Sequence, residues 1–169
     1  AARGRVVLFG GWDADGRDGE TWEYDGATAT WTLVTPTGTS PSPRYVHAMA
    51  YDAARGRVVL FSGDDGVSDS ETWEYDGATA TWTLVTPAGT SPSPRYCHAM
   101  AYDAAHDRVV LFGGADGVGS DAETWTFEGT TATWTLVTPT ASTPSPRYYH
   151  AMDYDAARGR VVLFGGRAT

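Results

Sequence analysis

The sequence predicts an all-β protein built from short antiparallel sheets that repeat along the chain. Three observations predict it. An apolar run closed by two glycines, Arg5-Val6-Val7-Leu8-Phe9-Gly10-Gly11, returns at 57–63 (with Ser62 for the first glycine), at 108–114 and at 160–166. The residues between these copies alternate apolar and polar with a period of two, and turn residues break them into short segments. All nine prolines fall in three equivalent loops, where they interrupt no ladder.

The repeat divides one domain, 1–169, into units 1–52, 53–103 and 104–155, which are 52, 51 and 52 residues long, and a partial unit 156–169. Near-identity of the copies points to recent duplication or design. Each unit reads as four strands. Four consecutive apolar residues, Val6 to Phe9, predict a strand covered on both faces. The glycine pair supplies a sharp turn or room for a second backbone. A loop rich in Asp and Gly follows, Trp12 to Gly19. The next strand, 20–24, sets Trp22 and Tyr24 on one face. Asp25-Gly26 turns the chain into Thr30-Trp31-Thr32-Leu33-Val34, whose β-branched and aromatic residues favour a strand.

A loop with three prolines, 35–43, leads to the fourth strand, 45–51, with His47, Met49 and Tyr51 on one face and Ala48 and Ala50 on the other. The alanines there favour helix by propensity. The alternation, the short run and Gly56 outweigh it. One four-stranded sheet cannot hide two apolar faces; sheets stacked radially can, and that arrangement is a β-propeller.

The residues then reach a known pattern. Phe9-Gly10-Gly11, Tyr24 and Trp31 in the first unit, Phe61-Ser62-Gly63, Tyr75 and Trp82 in the second, and Phe112-Gly113-Gly114, Phe127 and Trp134 in the third resemble the kelch repeat, and Phe164-Gly165-Gly166 opens a fourth. The Arg-Tyr-x-His approach to the next strand (Arg44 to His47, Arg95 to His98, Arg147 to His150) resembles kelch as well. The resemblance implies kelch-type blades of four antiparallel strands, innermost after the Arg-Tyr-x-His segment and outermost at the Trp. It also implies that the Asp/Gly loops and proline loops share one side of the ring, with the short turns on the other.

Kelch rings usually have six or seven blades, whereas thirteen strands make about three blades, half of a six-bladed ring or part of a longer array. An open arc leaves two bare apolar faces. The expected partner is therefore a second copy of the chain in a ring-closing homo-oligomer, or the remainder of a longer chain. In the first case 150–154 of one copy completes the blade begun by Arg5 of the other, and the spare strand 160–164 must displace its twin or fray.

Composition narrows the functions. A formal net charge of −9 disfavours nucleic acid and anionic membrane surfaces, and no apolar run approaches the length of a bilayer span. A single cysteine, Cys97, excludes an internal disulfide and a thiolate zinc cluster. All twelve basic residues are Arg; Lys, Ile, Asn and Gln are absent, which suits a GC-rich, bacterial source or a consensus-like sequence. A secreted or extracellular location is the expectation.

The loop-side candidates for ligand binding are Arg44, Tyr45, Arg95, Tyr96, Arg147 and Tyr148, since Arg and Tyr are frequent anchors of interfaces. The competing assignment places each Arg in a structural ion pair with a glutamate such as Glu20, Glu71 or Glu123. Asp13, Asp15 and Asp18 have spacings that calcium accepts, while solvated turns explain the same residues. His47, His98 and His150 each occupy the equivalent place in their own unit and read as structural. Candidate acids, bases and nucleophiles recur once per unit, so no set of different groups converges as catalysis requires. No cofactor is expected. The resulting expectation is a non-catalytic module that binds protein or glycan partners through its long-loop face. The alternatives are a self-assembling structural unit and a fragment of a kelch-like enzyme.

Overall fold

The computed structural model describes residues 4–67 and 69–168. The unit ends at 1–3 and 169, and the loop position Ser68, lie outside the described residues. Thirteen strands occur among the described residues, with no helix. β1 (Arg5–Asp13), β2 (Gly16–Asp25) and β3 (Thr30–Val34) form a three-stranded sheet. β4 (Ala48–Asp52), β5 (Arg57–Phe61), β6 (Thr72–Asp76) and β7 (Thr81–Val85) form a four-stranded one. So do β8 (Ala99–Asp103), β9 (Arg108–Phe112), β10 (Thr124–Glu128) and β11 (Thr133–Val137). β12 (Arg147–Asp155) and β13 (Arg160–Ala168) make a hairpin. Every pairing is antiparallel and follows chain order. β4 packs on β8 and β8 on β12, so these three strands are innermost and the Trp strands outermost.

The core consists of the seams between sheets. In β5 the side chain of Leu60 turns back toward the first sheet, while Val59 and Phe61 turn forward to the third. That two-sided burial is why the strand is apolar from Val58 to Phe61. The outer-strand tryptophan closes each seam. Trp82 meets Phe9 edge to face at 5.1 Å and donates its Nε1–H to Thr21 Oγ1 at 3.0 Å. Trp134 repeats both contacts one blade on, with Phe61 at 5.0 Å and Thr72 Oγ1 at 3.0 Å. Among the described residues no sheet covers the outer face of the first blade, and Trp31 is 50% exposed beside exposed Val6, Leu8 and Leu33. At the other end Phe164, the counterpart of Phe9, is 83% exposed.

The glycine pair has two separate jobs, both fixed by positive φ. A Cβ on Gly10 would stand 2.5 Å from the Arg44 carbonyl oxygen of the next blade, and one on Gly113 2.5 Å from that of Arg147. The second glycine faces its own blade: a Cβ on Gly63 would lie 2.7 Å from His47 Cβ. Ser62 tolerates φ +50° at the first position because its hydroxyl is used, donating to Asp69 O at 2.8 Å and accepting from Arg95 N–H at 3.0 Å.

Three local expectations change. The loop Trp12 to Gly19 is largely strand, since β1 and β2 extend through Trp12↔Arg17 and Asp13↔Gly16 to a two-residue turn. The fourth strand of the unit starts at Ala48 rather than Tyr45, with Val46 at φ +51° before it, whereas in the third unit β12 runs from Arg147 through Tyr149 at φ +57°. At the rim the two sides of the arc meet: Thr37 N–H of a proline loop donates to Ala80 O in the short turn of the next blade (3.2 Å), and Ala88 N–H to Ala132 O (3.1 Å). Sheet twist rotates the outer strand of each blade over its predecessor and brings that turn there.

Truncating Trp134 to Ala should destabilise the protein by about 3–5 kcal/mol, because the seam loses a buried indole and leaves Thr72 Oγ1 without its donor. Urea unfolding followed by far-UV circular dichroism measures it, and a loss below about 1 kcal/mol would contradict the seam assignment.

Candidate functional site on the long-loop face

The Arg-Tyr-x-His segment divides its residues between structure and surface. The backbone of each Arg belongs to the preceding blade: Gly11 N–H donates to Arg44 O at 2.9 Å, Gly63 N–H to Arg95 O at 3.1 Å and Gly114 N–H to Arg147 O at 3.0 Å. Its guanidinium belongs to its own blade. Arg44 donates to Ser62 O at 3.0 Å and to Glu71 at 2.9 Å, with Asp69 at 3.3 Å. Arg95 donates to Gly113 O at 3.1 Å and to Glu123 at 2.8 Å, with Asp121 at 3.1 Å. Glu71 and Glu123 also accept the indole N–H of Trp73 and Trp125.

Arg44 and Arg95 are thus buried to 0% and 2% exposure, which removes both from the ligand-contacting surface. The physical reason is that a guanidinium this deep is kept by its carboxylates and carbonyls. Arg147 is half-buried and donates to Gly165 O at 2.8 Å and Ser145 O at 3.1 Å, with no carboxylate pair among the described residues.

The histidines stand behind these arginines. His47, His98 and His150 meet Phe9, Phe61 and Phe112 of the preceding blade edge-on at 5.7, 5.7 and 5.5 Å. Burial pushes His98 down to about 3, with the Arg95 charge adding to it. Burial likewise pushes His47 down to about 4, with Arg44 adding to it. All three are packing residues of separate blades.

The residue between Tyr and His sits at the mouth of the axis. Val46, Cys97 and Tyr149 have φ of +51°, +57° and +57° and form a head-to-tail line, Cys97 N–H donating to Val46 O (2.8 Å) and Tyr149 N–H to Cys97 O (2.9 Å). The Cys97 thiol is buried, and burial raises its pKa.

What the loop face offers to solvent is aromatic and acidic. Trp12 is 60% exposed and stacks edge to face on Tyr45 at 4.9 Å. The Arg17 guanidinium lies 5.6 Å from the Trp12 ring and 5.7 Å from that of Tyr45, tethered to Asp64 at 2.8 Å. Next to this cluster a depression of about 230 Å³ is walled by Tyr96, Pro94, Val67, Asp64 and Asp116. Further round, Tyr148 and Tyr149 stack at 5.3 Å, and Tyr149 is 67% exposed. The structure therefore brings Tyr45, Tyr96 and Tyr148 to the same side. Trp12, Arg17 and Tyr149 join them, residues that sequence reasoning did not select; an exposed-loop Trp found in one unit alone was the available signal.

Asp13, Asp15 and Asp18 do not form a ligand set. Asp13 Oδ1 accepts from Asp15 N–H at 2.8 Å and Gly16 N–H at 3.1 Å, and Asp18 Oδ1 from Glu20 N–H at 2.8 Å. These are turn-capping carboxylates, and no group of three His, Cys, Asp or Glu residues positioned to hold a metal occurs among the described residues.

Stacked four-stranded blades with loops gathered on one side define a propeller-type repeat protein. The chain belongs to the kelch-repeat family: residues 1–114 and 53–169 each match the KLHDC2/KLHL20/DRC7 Kelch-repeats domain. It is similar to mouse "Multiple epidermal growth factor-like domains protein 8", 30% identical over 99% of this chain and 6% of that protein. It is also similar to bovine "Rab9 effector protein with kelch motifs", 30% identical over 99% of this chain and 45% of that protein. Arabidopsis thaliana "Serine/threonine-protein phosphatase BSL2" is 28% identical over 96% of this chain and 18% of its own length. The chain spans less than half the length of each of these relatives, all of them eukaryotic.

Two outcomes check the site's construction. Arg95→Ala should cost about 2–4 kcal/mol by stranding Glu123 and Gly113 O, whereas Arg17→Ala, at an exposed position paired with Asp64, should cost at most about 1 kcal/mol. Denaturant midpoints of the two variants compare them, and equal losses would contradict the buried pair.

Acid should also destabilise the fold. The unfolded chain binds protons at His47 and His98 from about pH 6.5 downward, while the folded chain does not until about pH 4 and 3, so stability falls as pH drops below about 6.5. Each histidine contributes roughly 2 kcal/mol of loss between pH 7.5 and 5. A urea midpoint that does not move over that range would show that the imidazoles are not held neutral.

Proposed function

We propose that the chain is a non-catalytic protein-binding module that contacts its partner with the long-loop face. The observation that carries this reading is the Trp12–Tyr45–Arg17 cluster beside the Tyr96 depression. Exposed aromatics held by a rigid scaffold, with little entropy left to lose, make effective interface anchors. The name of the bovine relative, an effector protein with kelch motifs, supports a protein partner. Asp13, Asp15 and Asp116 border the face as exposed carboxylates, while Arg44 and Arg95 are withdrawn from it. The complementary partner is a basic peptide segment carrying apolar residues.

A second reading is that the chain is a self-assembling unit. It is favoured by the inner edge of β1, which carries no strand among the described residues, and by the exposed Val6, Leu8, Trp31 and Leu33 of the first blade and Phe164 of the last hairpin. A glycan ligand and an enzyme fragment are the remaining alternatives; no feature of the loop face favours either over a peptide.

Arrays of basic, acidic and neutral peptides and of glycans, probed with the protein and with a Trp12→Ala/Tyr96→Ala variant, test the first reading. Binding to basic peptides, reduced at least tenfold in the variant, is the expected result. Binding confined to glycans, or unchanged by the two substitutions, would contradict it.

A further inference from the structure

The two ends of the arc lack complementary halves of the same joints. Within the chain, the outer-strand Trp of each blade lies on the Phe and Thr of the blade before it: Trp82 on Phe9 and Thr21, Trp134 on Phe61 and Thr72. Among the described residues Trp31 is the outer-strand Trp with no blade before it, and Phe112 with Thr124 is the Phe–Thr pair over which no Trp lies, although Phe112 is only 4% exposed and meets His150 edge-on. The buried arginine shows the same asymmetry. Arg44 has Glu71 and Arg95 has Glu123, but no arginine pairs with Glu20 among the described residues, and Arg147 has no glutamate.

The strand inventory agrees. β1 is flanked by β2 only, whereas β5 and β9 are flanked on both sides. Against its open edge lies a cleft of about 490 Å³ lined by Val6 and Val7 on one wall and by Met49, Tyr51 and Val58 on the other. β12 already pairs with a strand of the required sequence, since residues 156–166 and 1–11 are identical. Its register on β13 (Ala151↔Phe164, Met152↔Leu163, Tyr154↔Val161) therefore transfers without change to Phe9, Leu8 and Val6.

We propose that a second copy of this chain docks head to tail on the first, its β12 adding to the free edge of β1 in exchange for its own β13, so that two copies close a six-bladed ring. This rests on the assembly reading above and names its joint. Arg147 of one copy then faces Glu20 of the other, completing the pair that Arg44–Glu71 and Arg95–Glu123 make within a chain. Trp31 covers Phe112 and gives its indole N–H to Thr124, as Trp134 does to Thr72. Asp153, which stands where Ala50 and Ala101 stand in the other inner strands, enters a cleft whose rim carries Arg5, Arg55 and Arg57. A head-to-tail contact of this kind closes only when its rotation divides the circle, and two arcs of three blades satisfy that.

The test uses the purified chain alone, so its outcome is separate from that of loop-face binding. Light scattering should give twice the monomer mass, and Trp31→Ala, which alters a side chain half-exposed in the single copy, should raise the dissociation constant at least tenfold. In a Cys97→Ser background, Val6→Cys with Tyr154→Cys should oxidise to a covalent dimer, because these positions oppose each other only between copies. A monomeric mass would overturn both the joint and the assembly reading, leaving the β1 edge to a strand from elsewhere. A dimer that forms no such crosslink would overturn the joint alone. A trimer or an open polymer would overturn two-copy closure.

Discussion

The structure depends on one contact made twice: an indole from the outer strand of a blade, laid on the phenyl ring and threonine of the blade before. Within a sheet, backbone pairing holds four strands together but leaves two greasy faces. Only the neighbouring blade can cover them. Trp82 and Trp134 do so by joining apolar area to a directed hydrogen bond, so each seam is specific as well as favourable. Stability in such an array is close to a sum over seams, and the described chain has two complete ones.

The Arg-Tyr-x-His segment works at the other end of each blade, and its division of labour explains both the architecture and the site. The Arg carbonyl is held by the glycine turn of the preceding blade, while the guanidinium is held by carboxylates of its own. One residue thus joins two blades and is fully consumed in doing so. The tyrosine next to it is left half-buried at the surface. Aromatic exposure on the loop side is the consequence of burying the arginine beneath it, and the exposed carboxylates of Asp13, Asp15 and Asp116 outnumber Arg17 there.

Much of this was legible in the residues. The thirteen strands and the absence of helix among the described residues, and the inner and outer positions, follow from Val-Val-Leu-Phe, from period-two alternation and from the kelch resemblance. The direction of the arginines was legible in part. The sequence favours the ion pair with Glu71 and Glu123 over a surface anchor, and that pair forms, although Arg44 and Glu71 are 27 positions apart. Which one forms depends on the turn at Ser62 delivering its carbonyl under the guanidinium. The loop-side aspartates present a related choice: ligand spacing and turn-capping spacing are the same, the sequence favours turns, and the Asp13 and Asp18 carboxylates accept from turn N–H groups. The cluster of Trp12 with Tyr45 required knowing that β1 runs on past its glycines.

The claim that neighbouring blades are coupled through the tryptophan is most directly tested by a double-mutant cycle on Phe61 and Trp134, with Phe61→Leu and Trp134→Phe made singly and together. Denaturation free energies should reveal a coupling of about 0.5–1.5 kcal/mol, the value of a desolvated edge-to-face pair. Additivity within about 0.3 kcal/mol would mean that the two rings do not meet across the seam, and the account of how the blades hold together would fail.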